Sequence, residues 1–432
     1  MRQILRNGFL CTGLPGGFIA DGALVIEDGR IAWIGAAAAL PAQPAATPAT
    51  DLGGRVVIPG LVNTHAHGGM SLHRGCCDEG DLFAWAAALS PYTSHLTLED
   101  NRWGCTLAAM EMLRNGITTA CDCTRFGAGI FAGVASAIGL RSLSGALANS
   151  PALRGAGRPN WPLALEETLA AMRDHAGNGL ARFYLGAHSP YNCTPDLLRE
   201  VKRAGAAHGL PFVIHLAETR REAAIIEARH GTTPLRHLHA LGLLEPGTVL
   251  AHAVWLDEAE MDLLAASGAG VSHNPASNAK LASGVAPVAA LRARGVPVGL
   301  GTDSTLSNNA LSIFQEMKFG VLLARATRLD GAALTAADAF AMATLEGARV
   351  LGWQAEIGSL EPGKQADLVV LDLWHPLGMT PARALSDIVY AAGPQHVHQV
   401  MVAGSTVFGD GRLTRIDEPA TRAAIRDRYA AP

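Results

Sequence analysis

Short apolar runs recur along the middle of this chain, at 56–67, 117–121, 142–147, 182–188, 212–215, 248–252, 268–273 and 296–303. Stretches of helical texture fill the gaps, and they carry end signals. Leu96-Thr97 opens a helix over 103–113 that Gly116 ends; Thr194-Pro195 supplies a cap and a first-turn proline, with Gly209 as the stop; Thr219-Arg220-Arg221-Glu222 has the spacing of a capping box. Strands alternating with helices eight times predict an α/β fold, a (β/α)8 TIM-type barrel over residues 59–357.

The two flanks read differently. Gly22-Ala23-Leu24-Val25-Ile26, the turn Asp28-Gly29 and Arg30-Ile31-Ala32-Trp33-Ile34-Gly35 form a hairpin pattern, followed by an Ala/Pro/Thr-rich connector over 36–50. A turn feeding a strand over 358–371 and a strand pair over 397–411 repeat that texture at the far end. The expectation is one small β-sandwich domain built from residues 1–58 and 358–432, the latter including a terminal helix.

Composition narrows the class. Of 432 residues 49% are apolar and 17% charged, and the net charge of −4 implies no basic face for nucleic acid. No apolar run reaches the roughly 18 residues of a membrane span, and Met-Arg-Gln-Ile-Leu-Arg-Asn-Gly does not begin a secretory leader. Seven cysteines without a Cys-x-x-Cys pair read as reduced thiols. These features point to a cytoplasmic enzyme, expected as a homodimer or homotetramer.

Polar residues interrupt six of the eight apolar runs at their C-terminal ends: His65 and His67, then His188, His215, His252, His273 and Asp303. Any one of these histidines alone fits ordinary packing. Together they fall where a barrel gathers its chemistry. His65, His67, His215 and Asp303 make a four-ligand set for one divalent ion, zinc or alternatively iron(II). Such an ion makes water acidic enough to supply hydroxide near neutral pH. Glu218, three residues past His215, is spaced to shuttle the proton, and His252 to assist the nucleophile. Strand four has no lysine to bridge a second ion. His188 and His273 are expected to hold the edge of a substrate ring, and Trp85 to line the pocket or pack behind it. Cys121-Asp122-Cys123 reads as an ordinary strand end.

Pro-Gly-Leu-Val-Asn-Thr-His-Ala-His (59–67), His-Leu-Ala-Glu-Thr (215–219), Ser-His-Asn-Pro (272–275), Ser-Asn-Ala-Lys-Leu-Ala-Ser-Gly (277–284), Gly-Thr-Asp-Ser (301–304) and Gly-Lys-Gln-Ala-Asp-Leu-Val (363–369) resemble the amidohydrolase superfamily, in its aminohydrolase branch. The resemblance spans essentially the whole chain and implies the same roles: His65, His67, His215 and Asp303 as ligands, Glu218 as proton shuttle, His252 beside the nucleophile. His188-Ser189-Pro190-Tyr191 and Met70-Ser71-Leu72-His73-Arg74-Gly75 are similar to methylthioadenosine/S-adenosylhomocysteine deaminases; triazine and pterin aminohydrolases are similar as well. Two departures concern the nucleoside end of the substrate. Asp81-Leu82-Phe83-Ala84-Trp85 lacks the Glu before Trp, and Ser144-Gly145-Ala146 stands where an arginine is usual. The resulting expectation is a hydrolytic deaminase of a small aminated N-heterocycle (purine-, pterin- or triazine-like), favouring the free ring over S-adenosylhomocysteine. The alternatives are a methylthioadenosine/S-adenosylhomocysteine deaminase, cleavage of a C–Cl bond or cyclic amide on the same scaffold, and a non-catalytic scaffold relative.

Overall fold

The computed structural model describes residues 1–124, 126–154 and 161–429, without the side chains of Ala152 and Arg154. The N-terminal flank forms β1 (Arg2–Cys11), β2 (Phe18–Glu27), β3 (Arg30–Ala36), β4 (Ala49–Asp51) and β5 (Val56–Pro59). The central strands are β6 (Leu61–Ala66), β7 (Ile117–Thr124), β8 (Arg141–Ala148), β9 (Ala181–Phe183), β10 (Leu185–Ala187), β11 (Phe212–Leu216), β12 (Thr248–His252), β13 (Gly270–His273) and β14 (Val298–Leu300). The C-terminal flank adds β15 (Leu368–Leu371), β16 (Val397–Val402), β17 (Ser405–Gly409), β18 (Arg412–Leu413) and a last helix, Glu418–Tyr429.

From β6 to β14 every neighbouring pair is parallel. The barrel closes where Ala66 bridges to Asp303, the Asp303 amide donating to the His65 carbonyl at 2.9 Å. Closure thus occurs at the site itself. The fourth strand differs from the continuous run expected over 182–188. It splits into β9 and β10 around Tyr184, whose phenol fills the barrel interior and donates to the Asp122 and Gly145 carbonyls at 3.0 and 2.9 Å. A Cβ at Gly145 would lie 2.3 Å from the Tyr184 carbonyl, so this approach requires glycine. Val62, Leu143, Val213 and Val249 join Tyr184 in the same apolar cluster, and Trp353 and Ile357 extend it.

The two flanks merge into one nine-stranded sheet through antiparallel pairing of β5 with β15. Leu24, Ile26, Val57, Val370 and Met401 belong to its own apolar core. Barrel and sheet are tied by a fully buried ion pair: Arg141 of β8 donates to both oxygens of Asp367 at 3.0 and 3.1 Å.

The helix caps follow the local signals. Leu98–Arg114 begins with a reciprocal Thr97/Asp100 capping box, and Pro195–Ala207 is capped by Thr194. At Arg220–His230 the pattern is only half realised. Thr219 caps the Glu222 amide, but the Glu222 carboxylate turns elsewhere. Among the described residues no helix is long and apolar enough to cross a membrane.

Candidate active site

The strand ends converge on a cavity of about 300 Å³ lined by His67, His188, His215, Glu218, His252 and Asp303. The His67 and His215 rings are turned by their Nδ1 atoms. His67 Nδ1 donates to the Cys123 carbonyl and His215 Nδ1 to the His188 carbonyl, both short. A carbonyl only accepts, so each ring keeps its lone pair on Nε2. Those two Nε2 atoms face each other at 3.3 Å, while Asp303 Oδ1 lies 3.5 Å from His65 Nε2 and 3.4 Å from His67 Nε2. His65 Nε2 is buried and makes no hydrogen bond.

Converging lone pairs repel unless a cation sits among them. Tetrahedral zinc–nitrogen bonds of about 2.0–2.1 Å put neighbouring ligand atoms roughly 3.3 Å apart, close to the His67–His215, His65–Asp303 and His67–Asp303 distances. His65, His67 and Asp303 form one group with metal-binding spacing, and His65, His215 and His252 another. Burial and the surrounding imidazoles hold His215 well below the ordinary histidine range, so it is neutral as a ligand must be. Burial alone would raise Asp303, but the His65 contact and the other imidazoles keep its carboxyl well below the usual value. Ser277 Oγ donates to its Oδ2 at 2.6 Å, leaving Oδ1 toward the histidines. The residues fit a divalent ion.

Glu218 lies beside this group. Its Oε1 accepts from Ser283 Oγ at 2.9 Å, and Oε2 is 3.7 Å from His252 Nε2. Burial raises the Glu218 carboxyl above its ordinary value, with His252 opposing. His252 Nδ1 is 2.8 Å from Asn278 Oδ1, which directs Nε2 toward Glu218. The backbone is strained here: Ala217, His252, Ala253 and Asp303 all have φ between 48° and 78° without being glycine. Such residues cost on the order of 1 kcal/mol each and persist where the surroundings hold them for function.

The other expected residues separate. His188 lines the cavity, with Nδ1 3.0 Å from both Ser189 Oγ and Asn192 Nδ2. Trp85 lines it too, together with Met70, Phe83 and Leu281. His273, expected at the ring edge, is not among the described residues that line the cavity. Strand alternation turns the preceding Ser272 inward to bond Thr64 Oγ1 at 2.6 Å, and sends the His273 ring toward Gly320 on helix Ile313–Arg328. The Ser144-Gly145-Ala146 stretch lies within β8 (Arg141–Ala148). Gly145 packs on Tyr184, and Leu147 and Asn149 are the residues that reach the cavity. Asn149, Tyr191, Asn192 and Arg229 were missed; only a correct strand end would have exposed Asn149. Cys121-Asp122-Cys123 enters no metal-spaced group among the described residues. Instead the Cys123 carbonyl orients His67, and Asp122 Oδ1 accepts the Gly68 amide at 2.6 Å.

A family model described as "Amidohydrolase family" matches residues 56–407, which take in the barrel and most of the flanking sheet's C-terminal strands. The chain belongs to the amidohydrolase family. Over 434 aligned residues it is 38% identical to a 5-methylthioadenosine/S-adenosylhomocysteine deaminase of Syntrophobacter fumaroxidans, covering 99% of this chain and 98% of that one. It is 37% identical to a 5'-deoxyadenosine deaminase of Methanopyrus kandleri, with 97% and 96% covered. Among solved structures, a zinc-bound adenosine deaminase from Xanthomonas campestris superposes with a TM-score of 0.92 at 32% identity, over 98% of this chain and 97% of that one.

Proposed function

We propose that this amidohydrolase removes the exocyclic amino group of an adenine-type ring by hydrolysis, acting on nucleosides whose 5' end is small or apolar. The observation that carries the reading is the Ser283–Glu218–His252 contact set beside three convergent imidazoles and Asp303. His65, His67, His215 and Asp303 would hold one divalent ion, zinc by its nitrogen-rich donors. That ion, when bound, supplies Lewis acidity and an acidified water.

The residues themselves account for the proton movements. Glu218 takes a proton from the attacking water and delivers it to the ring nitrogen beside the amino-bearing carbon. A second delivery, to the exocyclic nitrogen, lets ammonia leave as the carbonyl forms, so water and amine become carbonyl and ammonia. A raised carboxyl suits both acceptance and return. Ser283 fixes one Glu218 oxygen, and His252 Nε2 accepts from the attacking water. His188 and Asn192 face the ring edge.

Much of the cavity wall is apolar, with Met70, Leu82, Phe83, Ala86, Ile225 and Leu281. Arg229 is the one cation among the described lining residues, and its Nη1 donates to the Tyr191 carbonyl at 2.7 Å. A zwitterionic amino-acid tail would lose solvation against such a wall, whereas a methyl or methylthio group would gain from burial. The kinetic test compares 5'-deoxyadenosine, 5'-methylthioadenosine, free adenine, an aminotriazine and S-adenosylhomocysteine. The expected order puts the first two highest in kcat/KM. An S-adenosylhomocysteine value tenfold above both contradicts the assignment of the 5' end.

A further inference from the structure

Glu222 lies one helical turn beyond Glu218, is fully buried, and spends neither oxygen on its own helix cap. Oε1 accepts the Ala217 amide at 3.0 Å and Oε2 accepts the Glu218 amide at 2.9 Å. A reciprocal capping box would have returned that carboxyl to the Thr219 amide. Its actual partners are the two residues that turn the chain out of β11. Ala217 sits there at φ 50°, a conformation an L side chain adopts only when held. The next residue carries the carboxyl that faces His252 and Ser283.

We propose that Glu222 is a positioning residue for the deamination. It clamps consecutive amides, holds Ala217 in the left-handed region, and thereby aims the Glu218 carboxyl across the cavity. The inference rests on the reading of Glu218 as the proton shuttle. Two acceptors are needed, because the amides diverge from adjacent residues; glutamine keeps the length but puts a donor against one of them.

The tests are Glu222→Gln, Thr219→Ala and Glu218→Gln, each with metal content, thermal midpoint, kcat and KM measured. Thr219→Ala removes the cap of the same helix, where Oγ1 accepts the Glu222 amide at 3.1 Å, but leaves the clamp in place. Glu222→Gln should lower kcat by about 10- to 100-fold, as misplacement of a reacting group by an ångström does, with metal retained and KM within about threefold. Thr219→Ala should lower the thermal midpoint comparably and leave kcat nearly unchanged. If both variants lose turnover only in step with stability, Glu222 is merely structural and the proposal is overturned. Should Glu222→Gln fail to fold, Glu222→Asp keeps both acceptors on a shorter arm; unchanged kcat there overturns it equally. Near-normal turnover by Glu218→Gln removes the shuttle reading itself, whereas an inactive Glu218→Gln with a fully active Glu222→Gln refutes the clamp alone.

Discussion

Single atoms decide the site: His67 Nε2 lies 3.3 Å from His215 Nε2, and Asp303 Oδ1 lies 3.5 and 3.4 Å from the Nε2 atoms of His65 and His67. Truncating one donor removes a lone pair or the one negative charge from that set and weakens its hold on an ion. His67→Ala and Asp303→Ala should therefore lose metal and activity together, read by metal analysis beside turnover. Full activity in a metal-free variant would contradict the ligand assignment. Space is equally constrained. A Cβ at Gly301 would fall 2.3 Å from Asn274 Oδ1 and 2.8 Å from the Cβ of His65, so the Gly-Thr-Asp-Ser turn admits no larger residue there. The gathering of His65, His67, His215, Glu218, His252 and Asp303 was legible because each sits at or just beyond the C-terminal end of a strand, most of them within a motif. His273 was less legible, because on an alternating strand it is Ser272 that bonds Thr64.

Elements are pinned to the site by buried acids that periodicity does not reveal. Glu316, on helix Ile313–Arg328, accepts the Ala276 amide at 3.1 Å and Asn308 Nδ2 at 2.7 Å, joining the loops after β13 and β14. Burial lifts its carboxyl from 4.5 to about 8, the two donors opposing. The folded state thus holds a proton that the unfolded chain releases above about 4.5. Stability from this group is full below that value and is lost as pH rises toward about 8. Urea midpoints between pH 5 and 8 should fall more for the wild type than for Glu316→Gln; parallel slopes would refute the assignment. Helices Leu98–Arg114 and Pro195–Ala207 were readable from Thr97, Thr194 and Pro195, because caps are local chemistry. The break at Tyr184 was not, since it depends on Gly145 of another strand.

Across the whole molecule, the chain ends close on each other through β5 and β15, and Arg141–Asp367 joins that sheet to the barrel. The Gly-Lys-Gln-Ala-Asp-Leu-Val motif carries this seam: Asp367 also accepts the Ala403 amide at 2.7 Å, and its carbonyl accepts the Gly60 amide at 2.9 Å. Asp367→Asn leaves the Arg141 charge buried and uncompensated. It should cost about 3–5 kcal/mol in chemical denaturation; a loss below 1 kcal/mol would mean the pair does not hold the two parts together. The alternation of strands and helices made the barrel readable, but the pairing of distant ends rested only on a shared β texture. The functional account is tested most directly by ammonia release from 5'-methylthioadenosine, wild type against Glu218→Gln with metal content matched. It predicts one ammonia per ring converted by the wild type, and a rate about 10²- to 10⁴-fold lower in the variant at unchanged metal content. Equal rates in the two proteins, or turnover without ammonia, would contradict it.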